Sequence, residues 1–109
     1  MSGWTVELTR AAKSELTQLP DDMQARFLSI AGLLETFGPA QVGLPHVRPL
    51  ESKLWEMRLK GRDGIARAVY FAHVGRRLVI MRVFVKKTEA TPRHEIDLAL
   101  KRMREFLDG

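Results

Sequence analysis

The hydrophobic positions of this chain change period part-way along it. Trp4, Val6 and Leu8 alternate with polar residues, as on a short strand with one buried face. Thr9 is a natural N-cap for a first helix, in which Ala12, Leu16 and Leu19 recur at helical spacing up to the break at Pro20. A second helix is predicted from Asp21–Asp22, whose carboxylates suit the positive end of a helix dipole. Its apolar residues are Met23, Phe27, Ile30, Leu34 and Phe37, and Gly38-Pro39 stops it. The two segments form a helical hairpin with one apolar stripe on each arm. Residues 39–52 contain Pro39, Gly43, Pro45 and Pro49 and read as a loop.

From Lys53 the period drops to two. KLWEMRLK (Lys53–Lys60), IARAVYFAH (Ile65–His73) and LVIMRVFV (Leu78–Val85) read as three strands, joined by the Gly-containing turns GRDG and VGRR. Such a series is an antiparallel meander. Thr91-Pro92 reads as the N-cap and first residue of a terminal helix, with Ile96, Ala99, Leu100, Met103 and Leu107 as its apolar stripe.

Alternation sorts the strand residues onto two faces. One collects Trp55, Met57, Leu59, Ala66, Ala68, Tyr70, Ala72, Val79, Met81, Val83 and Val85, and is assigned to the helical hairpin. The other collects Glu56, Arg58, Lys60, Ile65, Arg67, Val69, Phe71, Leu78, Ile80, Arg82, Phe84 and Lys86. Three arginines on neighbouring strands repel one another unless an anion lies among them. Two readings stand. The arginines pair with Glu56, or with Glu95 or Asp97 of the terminal helix. Alternatively, they form a concave basic site for phosphates, with Phe84 as a surface for an unstacked base or as a core residue under the terminal helix. Lys86 continues this face to the strand's end, and Lys87 is displaced from it by one residue.

Charge sharpens the second reading. The chain of 109 residues carries a net charge of +5, and the excess is local. Residues 53–87 hold 10 basic and 2 acidic side chains, whereas residues 1–52 hold 4 and 6. That concentration favours a polyanionic partner. With no cysteine there is neither a disulfide nor a thiolate metal site. The N-terminus has no basic and apolar leader, and no apolar run is long enough for a membrane span, so a cytoplasmic soluble protein of one domain is expected.

Four segments in order, LWEMRLKG (Leu54–Gly61), RAVYF (Arg67–Phe71), FVKKT (Phe84–Thr88) and TPRHEI (Thr91–Ile96), resemble the HigB/RelE-type toxins of bacterial toxin–antitoxin pairs. The likeness is greatest to the phage-derived HigB-like branch. It implies an α+β fold: an N-terminal strand, a helical hairpin, a curved antiparallel sheet of three further strands and a C-terminal helix. It also implies an activity. The family binds in the ribosomal A site and cuts messenger RNA there, by attack of a ribose 2′-OH on the adjacent phosphate. No metal and no small-molecule cofactor takes part. The implied partners are the ribosome, mRNA and a cognate antitoxin with a DNA-binding helix-turn-helix.

Carried over by motif, Arg58, Arg67 and Lys86 match the family's catalytic cations, with Arg82 and His94 as further candidates. Lys60, Phe84, Lys87 and Arg93 are the matching RNA-binding candidates. Arg82 stands where many relatives carry histidine or an apolar residue, and His94 where a second basic residue is usual. His94 suits a general base, because imidazole exchanges protons near neutral pH; the alternative is an exposed residue at a helix start. His46 and His73 read as structural, and Tyr70 as packing. Relatives of the ParE type keep the fold but inhibit DNA gyrase by binding. A nucleic-acid-binding module without activity is a third reading. Arg67→Ala is expected to relieve toxicity with the fold intact, and Trp55→Ala to cost about 3–5 kcal/mol as a buried aromatic.

Overall fold

The computed structural model describes residues 3–86 and 90–109. Its elements in chain order are β1 (Thr5–Leu8), α1 (Arg10–Thr17), α2 (Asp21–Phe37), a short 3-10 turn (Pro39–Gln41), β2 (Val47–Pro49), β3 (Trp55–Gly61), β4 (Gly64–His73), β5 (Arg77–Lys86) and α3 (Arg93–Asp108). The sheet order is β1-β5-β4-β3-β2. β1 runs parallel to β5, and the other neighbours are antiparallel.

The helical hairpin forms as the pattern predicts. Thr9 caps α1, its hydroxyl accepting from the Ala12 amide at 3.1 Å. Gly38, at φ 82°, ends α2 and donates its amide to the Leu34 carbonyl; a residue with a Cβ tolerates that conformation poorly. α1 lies over β5 and α2 over β3. Ala12, Leu16, Met23, Phe27, Ile30 and Leu34 bury against Met57, Leu59, Ala66, Ala68 and Tyr70. The alanines of β4 let the helices approach closely. Each large apolar side chain removed from water here contributes about 1.5–3 kcal/mol. Phe37, the last residue of α2, is largely exposed, because the chain turns away at Gly38.

On the opposite face α3 packs over a second cluster, with Ala99 and Met103 against Val69, Phe71, Val79, Met81 and Phe84. The expected faces of β5 are corrected here. Val69 pairs with Arg82 and Tyr70 with Ile80, so Met81 is an extra residue in β5. This β-bulge shifts the alternation by one. Leu78 and Ile80 therefore pack with the hairpin, while Val79 and Met81 lie under α3. The stripe of α3 is also adjusted. Phe106 packs inward and Leu107 is exposed, since Ala99, Met103 and Phe106 step by four and three along one face.

Two further differences concern segments between elements. Residues 39–52 hold a 3-10 turn and the edge strand β2, whose Val47, Arg48 and Pro49 pair with Met57, Glu56 and Trp55. Three residues between prolines are too short to show alternation, and Pro is tolerated on an edge. Thr91 does not cap α3. Pro92 holds the cap position, and the Thr91 hydroxyl donates instead to Glu56 at 2.6 Å.

Candidate functional site

Strand register converts the sequence pattern into rows of side chains across the α3 side of the sheet. In one row Arg48, Glu56, Val69 and Arg82 lie opposite one another on β2, β3, β4 and β5. In the next, Arg58 faces Arg67 and Arg67 faces Phe84. In the third, Lys60 faces Ile65 and Ile65 faces Lys86. The start of α3 meets the first row, through Glu95 to Arg82. Its end meets the opposite end of the strands, where Phe106 packs edge-on against Phe71 and His73. The second and third rows thus lie past the helix's N-terminal end. Like charges directly opposite on a sheet repel, so the Arg58–Arg67 pair needs a counter-charge.

Glu56 supplies it to one member. Its carboxylate is fully buried, accepts from Arg48 Nε at 2.5 Å and from the Thr91 hydroxyl, and lies 3.4 Å from Arg67 Nε. Arg67 is itself only 3% exposed. The lone acid of the three strands therefore sits among cations, as the first sequence reading anticipates for Arg67.

Arg82 is held more firmly. Its guanidinium donates to Glu95 through Nε and Nη2 and to Glu15 through Nη1 at 2.7 Å. Its hydrogen bonds to Glu95, then Glu15, raise its pKa above the ordinary arginine value against the effect of burial. Glu15 also accepts from Arg102 and from the Val83 amide, on the edge of β5 that β1 does not reach. Arg82 thereby braces α1, β5 and α3 to one another. The alternative pairing for this arginine is the one realised, with Glu95 and not Asp97.

The remaining candidates divide by exposure. Phe84 is 7% exposed, packed in the α3 cluster with the Arg82 guanidinium 5.6 Å from its ring centre. It is a core residue, so no open aromatic platform exists at that position. Lys86 is buried at the strand end and Lys60 is exposed. Arg93 pairs with Glu51 and Asp97, which raise its pKa, Glu51 first. His94 is well exposed at the start of α3, with Nε2 3.6 Å from Glu95. His73 has the structural role read from sequence, stacking edge-on with Phe71 and Phe106. Lys87 lies outside the described residues.

Arg58 differs from its neighbours. No carboxylate pairs with it among the described residues, and its Nε is buried without a hydrogen-bond partner. Its backbone amide donates to the His46 carbonyl at 2.8 Å. A cavity of about 110 Å³ opens beside it, lined by Arg26, Pro45, His46, Arg58 and Lys60. Sequence reasoning missed Arg26, His46, Arg48 and Glu15 as neighbours of the site. Glu15 and Arg26 sit on helices far away along the chain, and no local pattern joins them to the sheet.

The β3–β4 turn that ends these rows is tied to α2. The Asp22 carboxylate accepts from the Arg62 amide at 2.5 Å, which lowers the Asp22 pKa below its ordinary value. Gly61 makes this approach possible: a Cβ there lies 2.7 Å from Met23 Cγ and 2.9 Å from Asp22 Oδ2.

Solved structures share this architecture. The toxin–antitoxin complex RelBE2 of Mycobacterium tuberculosis matches at 25% identity and TM-score 0.57, over 77% of this chain and 99% of that one. A RelE–RelB complex from Pyrococcus horikoshii OT3 matches at 22% identity and TM-score 0.59, over 81% and 99%. Free Escherichia coli RelE, in a form with two arginines replaced by alanine, matches at 16% identity and TM-score 0.65, over 93% and 98%. A comparison with curated protein sequences finds no significant match. The class is that of the RelE-type toxins. Residues 14–104 match the family described as "Phage derived protein Gp49-like (DUF891)", and the chain belongs to that family.

Proposed function

We propose that this chain is the toxin of a type II toxin–antitoxin pair, of the HigB-like branch, and a metal-independent, ribosome-dependent endoribonuclease. The observation that carries the reading is the row in which Arg58 lies directly opposite Arg67 on one face, beside Lys60 and Lys86, past the end of α3. A cation with no counter-ion among the described residues, next to one anchored by Glu56, suits an external phosphate. Arg58 offers its guanidinium fork to the scissile phosphate, and Lys60 adds a point charge at the rim. Arg67 and Lys86 contribute a fixed positive field from beneath. As the 2′-oxygen bonds to phosphorus and the 5′-oxygen leaves, negative charge grows on the non-bridging oxygens, and these cations offset it. The 2′-OH proton passes to a base and the leaving oxygen takes a proton. His94, exposed beside Glu95 at the start of α3, is the side chain we assign to proton movement. Arg82 and Phe84 support the site from below, and we assign Lys87 and Arg93 to RNA binding.

The partners follow from the same reading: ribosome, mRNA and, as in the two complexes above, an antitoxin. Among the described residues no helix is long and apolar enough to cross a membrane, and we place the activity in the cytoplasm. The test is a short pulse of expression followed by mapping of mRNA 5′ ends. In-frame cuts in translated messages, lost in Arg58→Ala, are expected. An SOS response without such cuts turns the assignment to the gyrase-binding alternative, and the absence of both leaves a binding module without activity.

A further inference from the structure

Several arginines in this protein are answered from within. Arg48 and Arg67 have Glu56, Arg77 has Glu7, Arg82 and Arg102 have Glu15, and Arg93 has Glu51 and Asp97. The cavity beside Arg58 is the contrary case. Arg26 comes from α2, His46 from the segment entering β2, and Arg58 and Lys60 from β3. No carboxylate lines it, and among the described residues none of its three cations makes an ion pair. Arg58 keeps a buried Nε without a partner. Holding guanidinium and ammonium groups together costs free energy unless an anion joins them. The cavity, about 110 Å³, has room for a tetrahedral oxyanion, since a water's share of liquid volume is about 30 Å³.

We propose that Arg26, His46, Arg58 and Lys60 form a second phosphate subsite, which takes a backbone phosphate of single-stranded RNA next to the scissile one. The inference rests on the nuclease reading above for the identity of the strand. Arg58 and Lys60 belong to both places, because their row positions put them on the basic face while their side chains line the cavity. A strand crossing the face can therefore leave one phosphate over Arg58 and Arg67 and lodge its neighbour at the edge, between α2 and β3. Arg26 supplies a second fork and His46 a ring N–H donor. The hydrogen bond from the Arg58 amide to the His46 carbonyl fixes the loop that carries the imidazole to the strand that carries the arginine.

Arg26 is exposed and outside the cleavage machinery, so Arg26→Glu is expected to melt like the parent. The probe is a 2′-deoxy single-stranded oligonucleotide, which cannot be cut, titrated by fluorescence anisotropy at several salt concentrations. Arg26→Glu weakens binding about tenfold or more and flattens the salt dependence by about one counter-ion. His46→Ala weakens it several-fold. Arg104→Glu, the same charge change on an exposed position of α3, changes neither quantity. Equal affinity and slope for Arg26→Glu and parent overturn the subsite, as does a parent that does not bind. Inorganic phosphate binding as tightly as the oligonucleotide, with the same Arg26 dependence, overturns the strand and leaves a free-phosphate site. The two readings fail separately: Arg26-dependent binding without in-frame cuts sinks the nuclease, and cuts with Arg26-independent binding sink the subsite.

Discussion

Glu56 Oε2 lies 3.4 Å from Arg67 Nε, and both side chains are shielded almost completely from water. A buried charge pair is weak evidence for net stability, but removing one member strands the other. Glu56→Gln is therefore expected to cost about 3–5 kcal/mol, read as a lower urea midpoint at neutral pH. Arg67→Ala is expected to lower stability as well as toxicity, in contrast to the intact fold that the sequence alone suggests. A Glu56→Gln protein as stable as the parent would mean that Arg48 and Thr91 do not depend on this carboxylate.

Arg58 and Arg82 look equivalent in sequence and are opposite in structure. Arg82→Ala removes donors to two carboxylates and is expected to cost about 2–3 kcal/mol, since hydrogen bonds to charged groups are each worth up to about 3. Arg58→Ala removes no ion pair and is expected to abolish mRNA cleavage at nearly unchanged melting temperature. Thermal melts and growth assays on the two variants separate these roles.

Tyr70 buries a hydroxyl that has no hydrogen-bond partner among the described residues. Tyr70→Phe removes that unpaired group and is expected to be neutral or stabilising by up to about 1 kcal/mol at pH 7. Burial also raises the Tyr70 pKa far above the ordinary value of 10.0. Stability from this group is complete below that ordinary value. It falls as pH rises above it, because only the unfolded chain then releases the proton. The parent should accordingly lose more stability than Tyr70→Phe between about pH 9 and pH 11, measured by urea unfolding.

Trp55 shares the hairpin face yet remains 39% exposed, beside Pro39, Ala40 and Tyr70. Its truncation to alanine is expected to cost about 1–2 kcal/mol, less than the roughly 3–5 kcal/mol of a fully buried aromatic. Phe27→Ala, at a position nearly closed to water, should show that larger loss in the same denaturation experiment.

The elements were legible because period and punctuation are local. Helical spacing with Thr9, Pro20 and Gly38 delimits the hairpin, and alternation with Gly turns delimits β3, β4 and the ends of β5. The concentration of cations between residues 53 and 87 was equally plain, and so was the position of Glu56 among them. The faces of β5 were not, because the bulge at Met81 arises from pairing with β4 and leaves no mark in LVIMRVFV. The fates of the cations were hidden for a related reason. Glu15 reaches Arg82 across 67 residues, and Arg26 reaches the edge of the basic face from α2. Sequence by itself determined which strands carry charge. Tertiary structure alone decided which charges are neutralised inside the fold and which remain for a ligand, because a counter-ion is a neighbour in space and its place along the chain is unconstrained.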